Sequence, residues 1–202
     1  MAWLRPPGPV ASGLRIGLLG GSFNPAHEGH LHVSEIALKR LGLDYVWWLV
    51  APQNPLKPVA DMAPLQTRLA AARALTGRQP RLIVTDVERV LGTRYTIDTL
   101  KALHRRFGGL QFVWLMGSDN LEQFHRWRRW TEIAGLVPIV VVERPGSVMA
   151  PLRARAMERL APLRRSTLRR PPVLVVADGR RNEASATAIR ARFGARETLV
   201  VR

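Results

Sequence analysis

Short apolar runs alternate with stretches of helical periodicity along nearly the whole chain, and this alternation constrains the fold more than any other feature of the sequence. The run 14–19 leads into Gly20-Gly21, and His30 to Leu41 then places Leu31, Ser34, Ile36, Ala37, Leu38 and Leu41 at helical spacing. Tyr45 to Val50 reads as the next strand, and Leu65 to Leu75 as a helix entered near Pro64 and stopped at Gly77. Strand Leu82 to Val84, helix Thr96 to Phe107 and strand Gln111 to Met116 continue the pattern. After them come an aromatic-rich helical stretch to about Ile133, strand Val137 to Val142, an Arg-rich helix around Pro151 to Leu163, strand Val173 to Val176 and a short helix Ala186 to Phe193. Parallel strands need crossovers of this length, so the expected fold is α/β, a doubly wound parallel sheet covered on both faces. It forms a single domain over residues 14–202, preceded by a flexible Pro- and Gly-rich extension over 1–13.

In such sheets the ligand sits outside the carboxyl ends of the strands. Three loops there can carry chemistry, 20–30, 51–58 and 117–119, and a fourth segment, 182–190, precedes the last helix. Composition narrows what that chemistry can be. With no cysteine in 202 residues, disulfide frameworks, thiolate catalysis and cysteine metal sites are excluded. A formal charge of +16 draws polyanions without naming one. No apolar run reaches signal or membrane-span length, so the chain is expected to be cytoplasmic with no membrane partner.

Gly20 and Gly21 after a strand let backbone N–H groups approach a phosphate, and the following helix N-terminus favours an anion. His27 and His30, separated by Glu28 and Gly29, bring two imidazoles to the mouth of that same helix, where packing needs neither. The chemistry indicated is anion binding by two ring donors and a glycine-rich loop.

The segment Gly20-Gly-Ser22-Phe23-Asn-Pro-Ala-His27-Glu-Gly-His30 resembles the phosphate loop of the HxGH nucleotidyltransferases, and Ser185-Ala-Thr187-Ala-Ile189-Arg190 resembles their second signature. Within that superfamily the chain is most similar to the bacterial nicotinate-nucleotide adenylyltransferases, over about residues 14–193. The intermediate segments that carry the likeness are Arg94-Tyr95-Thr96-Ile-Asp-Thr99-Leu100, Gly117-Ser-Asp119, Phe124-His-Arg-Trp127 and Arg144-Pro145-Gly146. The resemblance implies a Rossmann-like nucleotidyltransferase fold and the joining of nicotinate mononucleotide to ATP, giving deamido-NAD and pyrophosphate. It implies that His30 bonds the α-phosphate of ATP, that His27 supports the loop, and that Ser185, Thr187 and Arg190 hold the departing phosphates. It extends the ATP site to Gly20, Gly21, Ser22, Phe23, Gly117, Asp119 and Ile189, with Asp119 on the adenosine ribose.

The acceptor phosphate, with a second pKa of about 6, is mostly dianionic at pH 7 and needs no general base. Direct in-line attack on the α-phosphorus is therefore expected, and the protein has to supply alignment and positive charge. Mg²⁺ is expected as cofactor, held mainly by ATP phosphates. On the acceptor side Trp127 suits a flat cationic ring by stacking, and backbone N–H groups near Tyr95 and Thr96 suit its carboxylate. Lys57 can reach the mononucleotide phosphate as a point charge, although Leu56 stands where the family carries His. Asp119, also placed to cap a helix, completes the set. The Arg-rich segment 153–181 lacks interleaved aromatics, so it reads as a solvated face and nucleic acid is not an expected partner. A related transferase acting on nicotinamide mononucleotide or phosphopantetheine stays open, as does a non-catalytic basic module for nucleotides or nucleic acid.

Overall fold

The computed structural model describes residues 5–53, 62–77, 79–143 and 154–177. Six strands, β1 (Arg15–Gly21), β2 (Tyr45–Val50), β3 (Leu82–Thr85), β4 (Gln111–Gly117), β5 (Ile139–Val142) and β6 (Leu174–Ala177), form one sheet in the order β3-β2-β1-β4-β5-β6. Every pairing is parallel. The chain winds outward from β1 to β3, then returns to the other side of β1 to lay down β4, so a crevice opens between the carboxyl ends of β1 and β4.

Pleat alternation sorts the side chains onto two cores. Ile16 and Leu18 of β1 with Trp47 and Leu49 of β2 face one way, against α4 (Thr96–Arg106), α5 (Ser118–Phe124) and α6 (Trp130–Leu136). Leu19, Val46, Trp48 and Val50 face the other, against α1 (Glu28–Arg40) and α2 (Leu65–Thr76). The expected doubly wound sheet is the observed one.

Local departures from the expected elements have identifiable causes. The stretch after β4 is two helices separated by a turn over residues 125–129, and Arg129, at a left-handed φ of +53°, is the N-cap of the second. A five-residue helix, α3 (Val87–Leu91), closes on Gly92 at φ +65°, where glycine avoids the steric cost. The Arg-rich helix shrinks to α7 (Met157–Leu160) followed by a 3₁₀ turn at Ala161–Leu163. Asp119 is not a helix cap: Gly117 takes that position, and Asp119 is exposed one residue inside α5. Residues 151–153 and the expected last helix, 186–193, lie outside the described residues.

Gly20 and Gly21 are the last two residues of β1, paired with Leu49 and Val50, rather than loop. A Cβ at Gly20 would stand 2.5 Å from Cη2 and 3.0 Å from Cζ2 of Trp114, a buried ring on the neighbouring strand. The missing side chain makes room for an indole. Gly20→Ala is accordingly expected to lower stability by about 1–3 kcal/mol through overpacking, measured by urea unfolding; an unchanged midpoint and slope would contradict this packing.

Candidate active site

The loop leaving β1 is ordered by its own aromatic residue. Phe23 is buried at a left-handed φ of +48°, a strained value for a bulky side chain. Its ring is held by stacking on Trp48 of β2 (centroids 5.0 Å apart) and by the His30 ring at 4.6 Å. Trp48 in turn donates from Nε1 to Ser34 Oγ (2.8 Å), and that hydroxyl donates to the His30 carbonyl (2.8 Å). The first turn of α1 is thereby tied to β2.

His27 and His30 form a reciprocal cap on α1. The His27 Nδ1 accepts from the Gly29 N–H at 3.1 Å, and the His27 N–H donates to His30 Nδ1 at 3.2 Å. This is the capping-box arrangement with imidazoles in place of hydroxyl and carboxylate. Because both Nδ1 atoms are acceptors, each neutral ring must carry its proton on Nε2. The rings lie 3.9 Å apart at the helix N-terminus, His27 buried and His30 half-buried. Ser22, also buried, has a hydroxyl without a hydrogen-bond partner among the described residues. A buried hydroxyl, two Nε2–H tautomers and a helix N-terminus are the donors an anion requires.

A residue that sequence reasoning passed over organises this loop. Arg68 of α2 is 1% exposed, and its guanidinium donates to four backbone carbonyls: Ala63 from Nε (2.8 Å), Ser22 (2.6 Å) and Ala51 (2.8 Å) from Nη1, and Pro52 (3.0 Å) from Nη2. Burial pulls its pKa below the ordinary arginine value. Asn24 Oδ1 adds a link by accepting from the Ala63 N–H at 3.2 Å.

On the other side of the crevice, Tyr95 caps α4 without a side-chain bond, and Thr96 is its first helical residue. The Arg128 guanidinium lies 4.7 Å from the Tyr95 ring centroid and that of Arg94 5.9 Å. Beneath this turn is a polar knot. Thr99 Oγ1 donates to Glu88 Oε1 (3.1 Å) and lies 2.8 Å from Thr93 Oγ1. Burial raises the Glu88 carboxyl to about 7, against the opposing effect of the Thr99 bond. Half-buried Trp127 packs edge-on against Trp114 (5.8 Å) and Phe124 (5.4 Å). It therefore has structural neighbours as well as an accessible portion.

The structure thus brings Gly20 to His30 into one unit and places Gly117 and Asp119 at the end of the adjacent strand, with Leu19 paired to Leu115. Lys57, Arg144 to Gly146, Ser185, Thr187, Ile189 and Arg190 lie outside the described residues. Among the described residues no three His, Asp or Glu side chains converge on a metal position, and no helix is long and apolar enough to cross a membrane.

Comparison with known proteins identifies the family and agrees with the fold. The family model described as cytidylyltransferase-like matches residues 18–192. A protein of Parvibaculum lavamentivorans named "Probable nicotinate-nucleotide adenylyltransferase" is 52% identical over 195 residues, spanning 92% of this chain and 95% of its own. One of the same name from Methylorubrum extorquens is 50% identical over 186 residues, spanning 89% of this chain and 100% of its own. The solved Plasmodium falciparum nicotinic acid mononucleotide adenylyltransferase complexed with NaAD superimposes with a TM-score of 0.69 at 15% identity, covering 89% of this chain and 83% of that one. At that identity the likeness speaks for the fold.

Proposed function

The chain belongs to the cytidylyltransferase-like family and, within it, to the nicotinate-nucleotide adenylyltransferases, and from that premise we propose that it joins nicotinate mononucleotide to ATP in NAD biosynthesis. The observation that supports this best is the reciprocal histidine cap, which holds two Nε2–H donors at the N-terminus of α1, beside the β1–β4 crevice. A phosphate oxygen of the mononucleotide attacks the α-phosphorus of ATP, the bond from that phosphorus to the β-phosphate bridge breaks, and pyrophosphate leaves. The acceptor is already dianionic, so the chain need not remove a proton.

In this reading His30 bonds the α-phosphate where charge grows, and His27 and the N–H groups around Ser22 and Phe23 support the polyphosphate. Asp119 meets the ribose, and Ser185, Thr187, Ile189 and Arg190 close over the departing phosphates. Trp127 stacks on the pyridine ring, the first-turn N–H groups at Tyr95 and Thr96 receive its carboxylate, and Lys57 receives the acceptor phosphate. Mg²⁺ would supply charge neutralisation across the phosphates. An ion carried in on phosphate and water oxygens asks for no carboxylate cluster, which is compatible with the described residues. The reaction is placed in the cytoplasm, where both substrates would be met.

The test is pyrophosphate release with ATP and a panel of nicotinate mononucleotide, nicotinamide mononucleotide and phosphopantetheine. Turnover with nicotinate mononucleotide is expected to dominate. Clear preference for either of the others overturns the substrate assignment, and no release with any of them overturns the reaction.

A further inference from the structure

Arg68 is a full positive charge sealed from water, and among the described residues no carboxylate lies within ion-pair distance of it. An apolar side chain of the same volume would avoid desolvating a charge but would leave its four carbonyls without this donor. What the guanidinium can do, and an apolar side chain or a lysine cannot, is reach several carbonyls in fixed directions at once. The carbonyls it holds are informative. Ser22 lies in the loop leaving β1, while Ala51 and Pro52 lie in the loop leaving β2, the neighbouring strand on the side away from β4. The fourth, Ala63, stands just before α2.

Resting on the adenylyltransferase reading, we infer that Arg68 is a positioning residue for the reaction: its fork fixes the loop that binds the ATP phosphates relative to the loop after β2 on the acceptor side, so one buried side chain sets the in-line alignment of the two substrates. It reaches neither substrate itself and acts through the four carbonyls. Bringing two polyanions into line is the main task of such a site, and a displacement of about 1 Å from a remote change can cost roughly 10²-fold in rate.

The experiment compares wild type with Arg68→Met and Arg68→Lys, measuring kcat and both KM values well below the melting temperature of each. Misalignment predicts that Arg68→Met loses about 100-fold in kcat at saturating substrates while remaining folded, and that Arg68→Lys, with charge but no fork, recovers less than about tenfold of that loss. Variants that melt earlier but keep wild-type kcat would reduce Arg68 to a structural tie and overturn the inference. So would full recovery by lysine, which would make charge alone sufficient. If wild type releases no pyrophosphate, the functional reading itself fails and the inference falls with it. Should Arg68→Met not fold, nitrogen-15 spectra of the wild-type guanidinium decide. Slowly rotating Nη signals are expected to shift with a non-hydrolysable ATP analogue alone and with nicotinate mononucleotide alone; a response to one only, or to neither, overturns the inference.

Discussion

His30→Ala is expected to fold and to turn over about 10²- to 10³-fold more slowly, with most of the loss in kcat, as for removal of one donor aimed at developing charge. Two losses coincide in this variant. The first is the Nε2–H donor, whose tautomer is enforced because Nδ1 accepts from the His27 backbone. The second is that bond itself, which leaves the His27 N–H without its cap. An unmade bond at a half-buried position costs about 1 kcal/mol, so the melting temperature should fall only modestly. The Phe23 ring also loses its 4.6 Å neighbour but keeps Trp48. Steady-state turnover with both substrates saturating, read beside a melting curve, separates the two effects. Wild-type turnover in a folded variant would remove His30 from the chemistry.

A second large effect is expected from Glu88, in the response of stability to pH. Its carboxyl is raised from 4.5 to about 7 because it is buried, so the folded protein keeps a proton that the unfolded chain has already released. The stabilisation this brings is complete below about pH 4.5, and it is lost as pH rises towards about 7. Each pH unit in that window costs about 1.4 kcal/mol, or roughly 3 kcal/mol across it. Glu88→Gln keeps an oxygen to accept from Thr99 and cannot ionise. Urea unfolding of the two proteins should therefore give similar stabilities near pH 4.5, with wild type falling progressively below the variant up to about pH 8. Parallel curves would mean that Glu88 is ionised in the folded state throughout.

The parts of the fold that were legible in the sequence are those where one signal dominates. β2 is an unbroken apolar run ending before Pro52, and its bounds were read directly. α2 is framed by Pro64 as its N-cap and Gly77 as its C-cap, the residue types that mark helix ends in a sequence. α3 escaped notice because five residues cannot display a helical period. The entry into α6 runs through Arg129 at positive φ, and arginine is a residue type that gives no warning of it. At the site, the histidine spacing pointed to paired donors, but only coordinates show that each ring caps the other. Gly20 reads as loop from the sequence, and the structure places it in the last residues of β1, where it also makes room for Trp114. Arg68 was invisible for a simpler reason. In a chain with 31 basic residues, one more arginine on a helix looks like surface, and its burial emerges only when the connections after β1 and β2 meet around it.

The strand order has a consequence for the chain during synthesis. β1 is flanked by β2 and β4, and the β4 segment that pairs with Arg15–Leu19 begins at Gln111, roughly a hundred residues further along. A nascent chain that has emerged as far as Leu91 can pair β1 with β2 and β2 with β3, but one complete edge of β1 has no partner, and the apolar side chains Ile16 and Leu18 lack the helices that cover them. Long-range parallel pairing of this kind is slow to close and prone to capture by another open strand. The crevice between β1 and β4 is therefore also the seam that joins the two halves of the sheet, and until β4 arrives the half-made protein depends on dilution or chaperones to keep that seam from joining a neighbour.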